Sequence, residues 1–160
     1  MSKTTGIMTT SKGKIHFELS DETINTTKNF VTLAQNKFYD GLNFHRVIPE
    51  FVIQGGCPEG SGRGGPGYSI NCETSAKQRH ESGAFSMAHA GPNTGGSQFF
   101  IVLTREQTSH LDGKHTVFGK TTEGLDVVQK IQAKDKIEKI EITSISDKVN
   151  NHILVKGNRR

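Results

Sequence analysis

One arginine, Arg46, stands inside an otherwise largely apolar, strand-like run from Phe44 to Gly56, FHRVIPEFVIQGG. Phe44, Val47, Ile48, Phe51, Val52 and Ile53 are residue types that fit a pleated, half-buried surface, so the run should cross the core as strand. Pro49 lacks a backbone N–H and marks a bend between two strands. The guanidinium of Arg46 keeps its charge and presents a rigid fork of donors. Partial burial among Phe and Val then requires a polar group to meet it. Ser86 to Leu103, SMAHAGPNTGGSQFFIVL, has the same character, with two apolar strands around a Gly/Pro/Asn turn. The two runs are expected to form opposite walls of one site.

Turns and short strands fill the remainder. Lys14 to Leu19 alternates, with Ile15, Phe17 and Leu19 on one face after a Ser11-Lys12-Gly13 turn, and reads as a hairpin arm. From Asp21 to Lys37 the period becomes helical through Phe30, Leu33 and Ala34, with Asp21 or Thr23 as cap, and this helix should plug an open end of a sheet. CPEGSGRGGPGYSI, from Cys57, is too glycine-rich for regular structure and forms a surface loop. Glu106 to Gly119 is a turn at Asp112-Gly113 leading into a strand. A second helix is expected from Gly124 to Ile131, with Leu125, Val128 and Ile131 on one face. Lys139 to Ile145 is a strand with Ile140 and Ile142 inward. The tail from Asp147 to Arg160 carries one apolar burst, Ile153-Leu154-Val155, and a basic end.

The 160 residues, 32% hydrophobic with 18 Gly and no Trp, suit one turn-rich domain over residues 1–160 rather than a helical bundle. The expected architecture is mainly β, a closed or nearly closed antiparallel barrel with two helices. Charges are interspersed, 20 Lys+Arg against 16 Asp+Glu, so nucleic acid is not an expected partner, and Lys156, Arg159 and Arg160 read as solvated. The polar start lacks a signal-peptide core, and no run reaches the ~20 apolar residues that span a bilayer. A cytoplasmic, monomeric protein with no membrane partner is expected, and Cys57 and Cys72 are read as free thiols.

Several chemistries are excluded by spacing. The histidines form no His-x-x-x-His pair and the cysteines no Cys-x-x-Cys pair, so no metal site and no cofactor are expected. A Gly-x-Ser-x-Gly elbow is absent, which argues against a Ser-His-Asp hydrolase. Gly60, Gly62 and Gly65 spell G-x-G-x-x-G, but Pro66-Gly67 and the strand-like Tyr68-Ser69-Ile70 follow where a dinucleotide site needs a helix. What remains is a donor-rich apolar pocket. Arg46, Gln54, Gln98 and His115 supply hydrogen bonds, and Phe51, Val52, Phe100 and Leu111 supply walls. Alternation places Phe100 and Val102 on the Gln98 face of their strand, and Phe99 and Ile101 on the other.

FHRVIPEFVIQGG, SMAHAGPNTGGSQFFI and LDGKHTVFG resemble, in the same order, signature segments of the cyclophilins. The resemblance runs from Gly6 to Ile145. It implies an eight-stranded antiparallel barrel closed at each end by a helix, and cis/trans isomerisation of peptide bonds before proline in peptides and protein clients, in aid of folding. Carried over residue by residue, it makes Arg46 catalytic, with Gln54 and Phe51 beside it. It makes Val52, Gly62, Ala88, His89, Ala90, Gln98, Phe100, Leu111 and His115 the binding surface, with His110 at its rim. Three positions depart from the common pattern: Val52 replaces a frequent Met, His89 a frequent Asn, and His110 the Trp that contacts cyclosporin in many members. Weakened cyclosporin binding is therefore expected. A rival reading, a binding module without turnover, is opposed by the joint presence of Arg46, Phe51, Gln54, Gln98, Phe100 and His115.

Overall fold

Alternating side chains at the start of the chain become two long strands, β1 (Thr4–Thr10) and β2 (Gly13–Leu19), paired antiparallel. They belong to a computed structural model that describes residues 3–157. The central apolar run splits at Pro49 into β3 (Arg46–Ile48) and β4 (Val52–Gly55), and the second run gives β5 (Ala84–Met87) and β6 (Phe99–Val102). With β7 (Val117–Glu123) and β8 (Ile137–Ser144) they make one eight-stranded antiparallel sheet, in the order β3-β4-β6-β5-β7-β2-β1-β8.

The sheet curls into an open half-barrel rather than the closed barrel expected. β3 has only three residues before Pro49 and Glu50 turn the chain, so it is too short to carry a ladder to β8. The preceding coil meets that edge instead, through the isolated bridge Asn43↔Lys136 and bonds such as Ile137 N–H to the Leu42 carbonyl (2.7 Å).

Among the described residues there are three α-helices, not two: α1 (Ile24–Gln35), α2 (Leu125–Lys130) and α3 (Asp147–Asn151). α1 drives Phe30 into the concave face, edge-on to Phe17 (5.8 Å) and Phe99 (5.4 Å), within a core that includes Met8, Ile15, Tyr39, Phe85 and Phe118. Its N-terminus is not capped by Asp21 or Thr23. The Glu73 carboxylate accepts from the Asn25 and Thr26 N–H groups (3.1 and 2.6 Å), while Thr23 is turned toward Ser20 and Thr27 and Asp21 accepts from Ser146 Oγ (2.6 Å). α2 is shorter than expected, and Leu125 is 44% exposed, because Val127 and Val128 take the inward face. α3 begins at Ser146, whose hydroxyl accepts from Val149 N–H (3.2 Å). Beyond it Ile153 and Val155 are exposed rather than core, and Arg159 and Arg160 lie outside the described residues.

The convex side of the sheet carries a second, smaller apolar cluster of Val52, Ala84, Phe100, Val102 and Val117, with Phe51, Ala88 and Leu111 packed against it. β6 is therefore buried on both faces, Phe99 and Ile101 inward and Phe100 and Val102 outward, as its alternation requires. This second cluster is the floor of the site.

Candidate active site

Over that floor lies a groove of about 690 Å³. Every expected site residue except His110 lines it: Arg46, Phe51, Val52, Gln54, Gly62, Ala88, His89, Ala90, Gln98, Phe100, Leu111 and His115. His110 sits outside, exposed on the 3-10 turn Ser109–Leu111, its ring stacked on Phe51 at 6.2 Å and 10°. The glycine-rich loop forms the far wall with Arg63, Pro66 and Tyr68, none of which the sequence had placed at the site. No helix follows Gly65, and the chain instead bends through Pro66, Gly67 and Tyr68 to bridges at Ser69 and Ile70, which leaves the dinucleotide pattern without its structural context.

A polar relay crosses the groove. Arg46 and Gln54 are cross-strand partners on β3 and β4, and Gln54 faces Phe100 on β6. Arg46 Nη1 donates to Gln54 Oε1 (3.2 Å), and Gln54 Nε2 donates to Gln98 Oε1 (3.2 Å). Gln98 Nε2 donates to the carbonyls of Gly62 and Gly64, both at 2.9 Å. Each amide thus points its oxygen toward Arg46 and its nitrogen toward the loop. Arg46 itself is exposed, not part-buried, so most of its N–H groups remain available on the groove side.

The opposite end is built from imidazoles. His115 Nδ1 donates to the Met87 carbonyl (2.9 Å), which leaves Nε2 as the acceptor, and burial holds the ring below the ordinary histidine pKa despite that bond. His115 meets Phe100 edge-on at 5.5 Å and stacks on His89 at 4.0 Å and 8°. His89 lines the groove, yet both its nitrogens are engaged: Nε2 donates to the Lys114 carbonyl (2.9 Å) and Nδ1 accepts from Gly91 N–H (3.2 Å). Its ring therefore buttresses His115.

Beneath Phe100 lies a Ser-His-Asp chain that is structural. His80 is fully buried and stacks on Phe100 at 5.8 Å. Its Nδ1 donates to Asp112 (2.9 Å) and its Nε2 accepts from Ser86 Oγ (2.8 Å). Ser86 is itself buried in β5, out of reach of any substrate. The Arg105 guanidinium (2.8 Å) holds the Asp112 carboxyl far below the usual range, and burial lowers the His80 pKa although Asp112 opposes it.

Both thiols are free. Burial raises the Cys57 pKa, but N–H groups of the loop, including Gly62 (3.3 Å) and Gly64 (3.2 Å), outweigh it and bring the pKa down. Among the described residues, no cluster of three or more His, Cys, Asp or Glu could hold a metal ion. None of the helices described is long and apolar enough to cross a membrane.

Comparison with known proteins agrees with this geometry. The peptidyl-prolyl cis-trans isomerase B of Bacillus subtilis is 56% identical over 131 residues, covering 81% of this chain and 90% of that protein. An isomerase of Synechococcus elongatus is 52% identical over 144 residues, covering 88% and 97%. A crystal structure of a Cryptosporidium parvum cyclophilin superposes with a TM-score of 0.82 at 30% identity, covering 90% of this chain and 99% of that one. The crystal structure of that cyclophilin in the presence of the dipeptide Ala-Pro gives 0.80 at 31% identity, covering 86% and 98%. A sequence model of the cyclophilin type peptidyl-prolyl cis-trans isomerases matches residues 5–153, and the protein belongs to that family of isomerases.

Proposed function

We propose that the groove receives an extended, proline-containing segment of a peptide or flexible protein and that Arg46 accelerates rotation about the bond before proline. An amide resists rotation by about 18–20 kcal/mol because its nitrogen lone pair is shared with the carbonyl. In the twisted state that lone pair returns to the proline nitrogen, where a guanidinium can donate to it. A donor that bonds only this state lowers the barrier without nucleophile, metal or cofactor. Phe51, Phe100 and Leu111 hold the proline ring, Val52 shapes its pocket, and Gly62 and the Ala88 to Ala90 segment face the peptide backbone. Binding of a proline dipeptide by this groove is supported by the related cyclophilin studied with Ala-Pro. Assistance to folding follows from the same chemistry, since X-Pro isomerisation is slow enough to limit folding.

The observation that carries this reading is the relay from Arg46 through Gln54 and Gln98 to Gly62 and Gly64. It orients a permanent cation beside an apolar floor and uses up few of its donors. Micromolar protein should speed the slow cis-to-trans phase of an Ala-Pro peptide. Losing a charged hydrogen bond worth about 1.5–3 kcal/mol, Arg46→Ala should slow it about ten- to a hundredfold at unchanged melting temperature. Parent-like turnover by a folded Arg46→Ala protein would exclude this role.

A further inference from the structure

The chain continues past residue 153, where the family match ends, and its next residues run back to the groove. The Asn25 side chain clamps this segment, accepting from Val155 N–H (2.8 Å) and His152 Nε2 (2.9 Å) and donating to the Val155 carbonyl (2.9 Å). Two residues on, Gly157 N–H donates to the Ser69 carbonyl (2.6 Å) in an antiparallel bridge. Between them the Lys156 ammonium lies over the Tyr68 ring, 4.6 Å from its centroid. Tyr68 lines the groove, and its hydroxyl bonds to the buried Asn29, whose amide donates to the Gly96 carbonyl (2.7 Å) on the same wall. The wall is tightly packed at this point: a Cβ on Gly96 would stand 2.8 Å from Pro66.

We propose that residues 154–157 are a positioning element for the groove, fixing Tyr68 and Ser69 from outside so that the far wall is pre-formed for a peptide. The inference rests on the groove being the peptide site. An ordered wall spares the peptide the cost of ordering it, so the effect belongs to binding and not to the chemistry at Arg46.

The test measures KM, kcat and melting temperature on an Ala-Pro tetrapeptide for the full chain, a chain stopped after Ile153, Asn25→Ala, Lys156→Met and Lys156→Arg. The shortened chain and Asn25→Ala should raise KM about three- to tenfold with kcat within about twofold. Lys156→Met should raise KM about two- to fivefold, and Lys156→Arg, which keeps a cation over the ring, should restore it. An unchanged KM in the shortened chain would overturn the proposal. So would a shared fall of kcat and melting temperature, which marks a merely structural tail. Arg46→Ala measured alongside separates the two readings, because it should lower kcat whatever the tail does.

Discussion

Arg46 is exposed, and its position in the relay matters more than its burial, which the apolar sequence around it had suggested. Gln54 is the residue through which that position is set, so Gln54→Ala should lower turnover less than Arg46→Ala, about three- to tenfold, because the guanidinium remains but is no longer aimed. A parent-like rate for Gln54→Ala would show that the relay does not orient Arg46. His110 offers a different case. Stacked on Phe51 at the rim and outside the groove lining, it presents less apolar area than the Trp that the resemblance to cyclophilins implies at this position. Cyclosporin inhibition should therefore tighten about ten- to a hundredfold in His110→Trp, while proline-peptide turnover stays near that of the parent. Equal inhibition of both proteins would remove this position from drug recognition. The His110 ring was legible as a substitution, but its stack on Phe51 was not, because that depends on how β4 and the 3-10 turn meet.

At the level of elements, α1 shows what local sequence conceals. Its periodicity was plain, whereas its cap comes from Glu73, far along the chain and contributing a carboxylate to two N–H groups and the Thr26 hydroxyl. Glu73→Ala should destabilise the fold by about 0.5–2 kcal/mol, a drop of roughly 2–4 °C in Tm per kcal/mol, and Glu73→Gln by less. No loss of Tm in Glu73→Ala would mean that water caps the helix equally well. The Ser86–His80–Asp112 chain beneath β6 is equally non-local, and it ties the floor of the groove to pH. Burial lowers the folded-state pKa of His80, so below about pH 6.5 the unfolded chain takes up the proton first and stability falls as pH drops. His115 and His45, also lowered by burial, add to the same trend. Asp112 contributes with the other timing: its stabilisation persists until pH falls below about 3.9 and is then lost. Urea unfolding at about pH 7.5 and pH 5.5 should therefore show a shallower loss in His80→Gln than in the parent. Identical slopes would mean that His80 charges freely in the fold.

Over the whole molecule, what repeats along the chain was readable and what closes across it was not. Period-two runs gave β2, β6 and β8 with the right faces, including Gln98 and Phe100 toward the groove and Ile140 toward the core, because burial on a strand depends on neighbours two residues away. The extent of barrel closure depends instead on the length of β3 and on the coil that meets β8, which no periodicity records. α3 is short and polar, with a single buried Val149, and the tail docks through backbone and amide groups that leave no hydrophobic signature. Together these elements hold the Arg46 cation beside an apolar floor, where it should favour the twisted peptide bond over either planar form. Exchange NMR on an Ala-Pro peptide, with its dissociation constant measured in parallel, tests that claim on the parent and Arg46→Ala. The expected result is a dissociation constant within about twofold and an on-protein exchange rate at least about tenfold slower in the variant. A matching loss of affinity and rate, or an unchanged rate, would contradict it.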